Sequence, residues 1–284
     1  MNEIEKNNIN LFGERGKQWI QSLPNIIDFL SKKWQLNNIV PVEKMSWNYV
    51  AKAYSQKHGP VCIKVSIDKN LISDEIKALE DFKGYGMIKL IDYDIALHAI
   101  LLRQAIPGRS LKDIYQTHKE ESIVIYANLI EALLSAPKAK TNTKKHVKDW
   151  LKAFDSVPKI KLPNDLIHKA KILSTEILEQ SHNEFLLHGD LHMDNIISDQ
   201  NKWIAIDPKG VIGPKEFELA CFNFITKDEF SSAGNIPAIF NASVTNLSTL
   251  LKVAPYTLKA LGLHLFSPWG LLDDRGQWQS RHIY

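Results

Sequence analysis

Leu187-His188-Gly189-Asp190-Leu191-His192-Met193-Asp194-Asn195, followed by Trp203-Ile204-Ala205-Ile206-Asp207-Pro208, is the stretch that decides how this chain folds. An Asp with an Asn five residues later, and a further Asp closing an apolar run, is the polar layout of a phosphoryl-transfer loop. In that layout Asp190 faces an attacking hydroxyl, while Asn195 and Asp207 hold the Mg²⁺ that carries nucleotide phosphates. Such a reaction asks little covalent chemistry of the protein. It needs a positioned base, a metal clamp and a cation, all held rigidly. Asp190 follows the apolar Phe185-Leu186-Leu187, so its loop leaves a buried strand, and Gly189 permits the close backbone approach the loop requires. Pro208 cannot continue a central strand, which places the Asp207 carboxylate at a strand's end, facing a cleft. His188 reads as a packed, hydrogen-bonded histidine. A zinc site from His188, Asp190 and His192 would need His-x-x-x-His on one helix face, and Gly189 between strand-like flanks opposes that helix.

Upstream, Val61-Cys62-Ile63-Lys64-Val65 alternates as a strand does, with Val61, Ile63 and Val65 on one face and Cys62, Lys64 and Ser66 on the other. A lysine beside a small residue suits a nucleotide cleft, offering an amine to phosphates and room for a base; alone, it reads sooner as an edge-strand lysine projecting into solvent. Glu75 supplies the second argument. It stands three residues after Ile72 and four before Leu79, on the apolar side of its helix, where a carboxylate needs a cationic partner. Lys64, on the preceding strand, is that partner.

Around these points the chain divides. A helical pattern spans 13–34, with Pro24 expected to break or restart it. Strands are expected at 39–45, 49–55, 61–67, 87–95 and 99–106, with a helix through Ile72, Ile76, Leu79 and Phe82: a five-stranded sheet with one inserted helix. From Pro107-Gly108 onward helices dominate, at 110–116, 120–135, 146–155 and 165–181, interrupted by short strands near 185–188, 195–198 and 203–207. The expectation is an α+β, two-lobed molecule, with an N-lobe at 1–104 and a C-lobe at 105–284.

Composition sets the class. A chain of 284 residues with 44% hydrophobic and 24% charged residues buries a real core and is not disordered by default. The net charge of +3 is too mild to argue for a nucleic-acid partner. A local basic run (Lys138, Lys140, Lys144, Lys145, Lys148, Lys152) reads as a solvated face. Cys62 and Cys221 make no C-x-x-C pair, and the start has neither the cationic region nor the apolar core of a signal peptide. With no apolar run of about 18 residues, a cytoplasmic protein without membrane spans is expected.

The motif His188-Gly189-Asp190-Leu191-His192-Met193-Asp194-Asn195 resembles the H-G-D-L-H-x-x-N brace of the aminoglycoside phosphotransferase family. Trp203 to Gly213 resembles W-x-A-I-D-P-K-G-x-x-G of its streptomycin 6-kinase and hydroxyurea-resistance kinase subgroup. The resemblance covers roughly 39 to 222. It implies a protein-kinase-like fold and transfer of the γ-phosphate of ATP or GTP, with Mg²⁺, to a hydroxyl of an aminoglycoside-like acceptor. It further implies that Asp190 is catalytic, that Asn195 and Asp207 bind the metal, and that Lys64 holds phosphates with Glu75 behind it. Backbone near Gln104 and Ile106 would take the base, against Cys62. Three departures accompany it. No G-x-G-x-x-G is present, so Ser46 or Asn48 in the corresponding turn become phosphate donors. Glu218 stands where the family shows Asp, an extra methylene expected to loosen support of the loop. The basic run is an awkward neighbour for a cationic acceptor. Acidic or aromatic acceptor candidates are Glu216, Glu218, Trp269, Asp273, Asp274 and Trp278. The alternatives are a metabolic kinase for another small polar acceptor and, behind it, a nucleotide-binding pseudokinase.

Overall fold

The computed structural model describes residues 2–43, 45–137, 145–153, 164–222, 229 and 235–264. Two helices open the chain, α1 (Glu3–Phe12) and α2 (Glu14–Lys33). The first lies ahead of the helix expected from the sequence, started by an Asn2–Glu5 capping box. The second runs through Pro24 without a break. Pro24 faces solvent, so the carbonyl that loses its donor turns to water, while Trp19, Leu23 and Leu30 hold the other side of the helix in the core.

A five-stranded antiparallel sheet follows: β1 (Leu36–Pro41), β2 (Tyr49–Ser55), β3 (Gly59–Val65), then helix α3 (Lys69–Phe82), β4 (Leu90–Asp94) and β5 (Ala99–Arg103). Their spatial order is β1-β2-β3-β5-β4. β1 begins earlier than expected and stops at Pro41, with a register shift between Asn37 and Val40. Asp68 caps α3 through the amides of Asn70 and Leu71. The sheet's alternation divides two cores. Val61, Ile63, Val65, Ala99 and Leu101 pack under the opening helices, with Ile4, Trp19, Leu23 and Leu30. Ile100 and Leu102 turn the other way, into a cluster shared with α3 and the helices beyond the sheet.

β6 (Pro107–Ser110) was not foreseen as a strand. It pairs with β8 (Ile196–Asp199), which pairs with β9 (Lys202–Ala205). Between β6 and β8 come α4 (Leu111–Tyr115), α5 (Lys119–Leu134), α6 (Val147–Ala153), α7 (Asn164–Gln180) and β7 (Phe185–Leu187). β10 (Val211–Gly213) pairs with β7; α8 (Ile236–Leu251) and α9 (Pro255–His264) end the described chain. The central α5 buries Tyr126, whose ring meets Phe222 edge-on at 4.7 Å and whose hydroxyl donates to the Leu191 carbonyl. Among the described residues no helix is long and apolar enough to cross a membrane.

Sheet and helical region are tied through backbone and charge. Ala205 donates to the Gly86 carbonyl and accepts from Ile88. Arg103, at the end of β5, pairs with the buried Asp199 of β8, which also accepts the Ile106 amide at 3.3 Å.

The opening helices also reach the turn between β1 and β2. Asn7 donates to the Ser46 carbonyl at 2.9 Å, and the fully buried Asn8 donates to those of Ile4 and Trp47, each at 2.9 Å. A Cβ at Gly16 would overlap the Asn8 carbonyl, so the two helices approach at that glycine. Asn8→Ala strands the Trp47 carbonyl and is expected to lower the unfolding free energy by about 1–3 kcal/mol. A chemical-denaturation midpoint equal to that of the parent chain would show that this clamp bears no load.

Candidate active site

Lys64 projects from β3 on the face opposite Val61, Ile63 and Val65, and is almost wholly buried. Its Nζ lies 2.7 Å from Glu75 Oε2 on α3 and 3.0 Å from Asp207 Oδ1 beyond β9. Residues 143 positions apart in sequence thus share one ion pair. Desolvation pulls the Lys64 pKa down, yet Asp207 and Glu75 outweigh it and hold the ammonium above its ordinary range. Desolvation pushes the Asp207 carboxyl up, and the Lys64 ammonium overcomes it, leaving Asp207 below the usual carboxylate range. Glu75, deeper, stays above that range because desolvation dominates. β9 ends at Ala205, two residues before the strand end read from the sequence, and Asp207 occupies the left-handed region at φ 60°. Held there, its carboxylate turns toward the sheet and Lys64.

Asp190 sits in the loop after β7, one third exposed. Four hydrogen bonds close a ring beneath it. The Asp190 amide donates to His188 Nδ1 at 3.2 Å, and His188 Nε2 donates to the Ile206 carbonyl at 2.7 Å. The Ile206 amide donates to the Asn195 carbonyl at 2.9 Å, and Asn195 Nδ2 returns to the Asp190 carbonyl at 2.9 Å. A carbonyl only accepts, so His188 carries its proton on Nε2 and accepts at Nδ1. Burial agrees: it lowers the His188 pKa to about 4 and keeps the ring neutral. With both nitrogens occupied, His188 is a brace and not a metal ligand.

Asn195 spends its amide nitrogen on this ring, which leaves the side-chain oxygen for a cation. The Asn195–Ile206 backbone bond sets it beside the strand that leads to Asp207. One amide oxygen and one carboxylate suit Mg²⁺, which takes its remaining oxygens from water and phosphate. Among the described residues no three His, Cys, Asp or Glu side chains gather as a metal site.

Glu218 corrects the sequence expectation twice. Fully buried, it accepts the His188 amide on Oε2 at 2.5 Å and the Gly189 amide on Oε1 at 3.2 Å. The longer side chain does not loosen the loop; it spans both amides. Both oxygens are therefore engaged beneath the loop, which removes Glu218 from the acceptor candidates. Desolvation drives its carboxyl up to about 7, against the lowering effect of the two amides.

The remaining sequence candidates scatter. Cys62 lies on the Lys64 face of β3, half-buried, its thiol pushed up to about 11 by desolvation. Val50 is the register partner of Lys64, so the turn holding Ser46 and Asn48 lies at that end of the sheet; Ser46 is exposed and Asn48 half-buried. Gln104 donates its amide to the Pro60 carbonyl at 3.1 Å. Ile106 is spoken for, with its amide on Asp199 and its carbonyl accepting from Gln200 at 2.6 Å. Glu216 is half-buried on the same turn as Glu218. Trp269, Asp273, Asp274 and Trp278 lie outside the described residues, as do Lys138, Lys140 and Lys144 of the basic run. Lys145 of that run pairs with Asp74 on α3 at 3.2 Å. One residue was given no role from the sequence: Lys209, whose Nζ stands 3.6 Å from Asp190 Oδ2. Its place two positions after Asp207 was the available signal.

A small antiparallel sheet carrying a buried Lys–Glu pair, set against a helical region carrying Asp, Asn and Asp, defines a protein-kinase-like fold. Solved structures share it. An aminoglycoside phosphotransferase, APH(4)-Ia, in ternary complex with ADP and hygromycin B superposes with a TM-score of 0.60 at 14% identity, over 84% of this chain and 87% of that one. A choline/ethanolamine kinase family protein from Mesorhizobium loti gives 0.56 at 12% identity, over 85% and 86%. Residues 33–263 match the aminoglycoside/hydroxyurea antibiotic resistance kinase family, and the chain belongs to that family. It is 24% identical to the streptomycin 6-kinase of Streptomyces glaucescens, covering 73% of this chain and 69% of the relative. To the hydroxyurea phosphotransferase of Kitasatospora aureofaciens it is 22% identical, over 73% and 62%.

Glu218 yields a signed pH prediction. Its folded pKa of about 7 exceeds the ordinary 4.5, so the folded state binds the extra proton between those values. The unfolding free energy therefore falls as pH rises through that window. Glu218→Gln cannot titrate and is expected to remove that component, seen by comparing denaturation of the two proteins at pH 5 and pH 8. Parallel profiles for the two would refute the assignment.

Proposed function

We propose that this chain transfers the γ-phosphate of ATP or GTP, bound with Mg²⁺, to a hydroxyl of a small polar or cationic acceptor of the aminoglycoside type. The single observation that supports this reading is the Lys64–Asp207 contact of 3.0 Å, which sets the amine proposed for phosphate beside the carboxylate proposed for the metal. Lys64, fixed by Glu75, holds nucleotide phosphates on the sheet side. The Gln104 carbonyl and the Ala105 amide, in the segment between β5 and β6, take the base, with Cys62 against its face. Ser46 or Asn48 caps the phosphates. Mg²⁺, when bound through Asn195 and Asp207, neutralises charge on the phosphate oxygens. Asp190 accepts the acceptor's hydroxyl proton as the new O–P bond forms, and the His188–Glu218 brace keeps its carboxylate in place. The division into lobes at 104/105, a cytoplasmic location and independence of nucleic acid belong to the same reading.

The hydroxyurea phosphotransferase relative supports a second acceptor class, small molecules bearing an N–OH or another simple polar hydroxyl. A panel assay separates the two: ADP or GDP release is measured with streptomycin, hygromycin B, hydroxyurea and simple amino-alcohols. Asp190→Ala is expected to cut turnover on the productive acceptor by roughly 10²–10⁴-fold while nucleotide affinity stays within a few-fold. Undiminished phosphoryl transfer in that variant would overturn the role of Asp190. Nucleotide binding without turnover on any acceptor would favour a binding module over an enzyme.

A further inference from the structure

We infer that Lys209 is the second catalytic cation of this site, placed to stabilise the transferring phosphoryl group on the acceptor side while Lys64 serves the nucleotide side. The inference rests on the kinase reading above and deepens it. Lys64 is buried and committed to two carboxylates, Glu75 and Asp207, at 2.7 and 3.0 Å. Lys209 is placed differently. Its backbone amide is pinned to the His188 carbonyl at 2.7 Å, so the root of the side chain is anchored to the strand that feeds the Asp190 loop. Its side chain stays 39% exposed, and its Nζ stands 3.6 Å from Asp190 Oδ2, beyond a close hydrogen bond. Two residues earlier in the same segment, Asp207 reaches Lys64 at 3.0 Å, so one short stretch of chain carries both the partner of Lys64 and the ammonium beside Asp190.

As a purely structural pair this arrangement makes little sense. A part-exposed ion pair at that separation contributes little to stability. The open separation becomes useful when an anion enters between them. In the transfer, the acceptor oxygen bonds to the γ-phosphorus, and the bond from that phosphorus to the bridging oxygen breaks. The bridging electron pair leaves with the nucleoside diphosphate, and the hydroxyl proton passes to Asp190. Negative charge spreads over the three equatorial oxygens of the planar group in flight. An ammonium beside Asp190, loosely held and facing the crevice, can swing onto one of those oxygens as charge gathers there. That interaction strengthens in the transition state, which is what accelerates the step.

The test separates ground-state from transition-state binding. Affinity of the full chain is measured for MgADP alone and for MgADP with fluoroaluminate, a planar mimic of the phosphoryl group, in the parent protein, Lys209→Met and Lys209→Arg. The expected result is that Lys209→Met keeps MgADP affinity within about 3-fold but loses about 10-fold or more of the extra tightening from fluoroaluminate, and that Lys209→Arg restores most of it. Turnover on the productive acceptor should fall roughly 10²–10³-fold in Lys209→Met, with little change in nucleotide KM. Full fluoroaluminate tightening retained in Lys209→Met would overturn the inference. So would its absence in a parent protein that binds MgADP. Failure of the parent protein to bind MgADP at all would instead overturn the kinase reading on which the inference rests.

Discussion

Everything in this molecule is arranged around one buried ammonium. Lys64 leaves water entirely, a step that costs several kcal/mol for an uncompensated ion (roughly). Two carboxylates offset that cost, one from α3 within the sheet region and one from the loop after β9 in the helical region. Asp207 therefore matters to the fold independently of any metal. It is one of the charges that tie the helical region to the sheet, beside the Arg103–Asp199 pair, with the Gly86–Ala205 and Ile88–Ala205 backbone bonds fixing the approach a few residues away. Under the proposed function, an incoming nucleotide brings more negative charge to the same amine and exchanges part of its Asp207 interaction for phosphate and metal, while Glu75, deeper and at 2.7 Å, keeps the amine aimed.

The second fixed unit is the ring joining His188, Asp190, Asn195 and Ile206, with Glu218 beneath it. Each member uses up the groups that might otherwise wander: both His188 nitrogens, the Asn195 amide, and both Glu218 oxygens. What is left over is the Asp190 carboxylate and the Asn195 oxygen, the two groups to which the proposed function gives the chemistry. Rigid loops usually carry their function on whatever the hydrogen-bond network does not consume, because satisfied groups have no reason to move. Glu218 extends that logic. A carboxylate gives each of the two amides an oxygen of its own, where a neutral amide side chain has a single oxygen to share between them, so an acidic group is kept in a dry position to hold two N–H groups in line.

How much of this was legible in the sequence depends on whether a periodicity or only a shape was at stake. The alternation through Val61 to Val65 and the helical spacing of Ile72, Glu75 and Leu79 each assign a face, so the Lys64–Glu75 pair followed from two simple repeats. The Asp190–Asn195–Asp207 spacing was equally direct. Where a residue's meaning depended on three-dimensional reach, the reading slipped. The methylene of Glu218 looked like slack and proved to be span. Pro24 looked like a stop and proved tolerable, because it lies on the wet side of a helix held by Trp19, Leu23 and Leu30. Ile106 looked like a base contact, yet its two backbone groups are consumed by Asp199 and Gln200. Acceptor recognition is legible least of all. It rests on pocket shape from scattered side chains, with no spacing rule to announce it, and four of its six candidates fall beyond the described residues.

The same alternation that delivers Lys64 to the crevice creates an obligation on the other side. Val61, Ile63 and Val65 present a continuous apolar face, and an open sheet face of that kind must be covered. The family match begins at residue 33, so the cover is supplied by α1 and α2, which lie almost wholly ahead of it. They do more than shield. Through Asn7 and Asn8 they grip the carbonyls of Ser46 and Trp47, on the turn at the Lys64 end of the sheet. That turn lacks the glycines with which a phosphate loop wraps its ligand, so its shape has to be imposed from outside. A buried asparagine amide fixed at Asn8, tied to helices that are themselves locked at Gly16, imposes it. Stability on the back of the sheet and order at its front edge are thereby one device, built from the segment ahead of the matched residues.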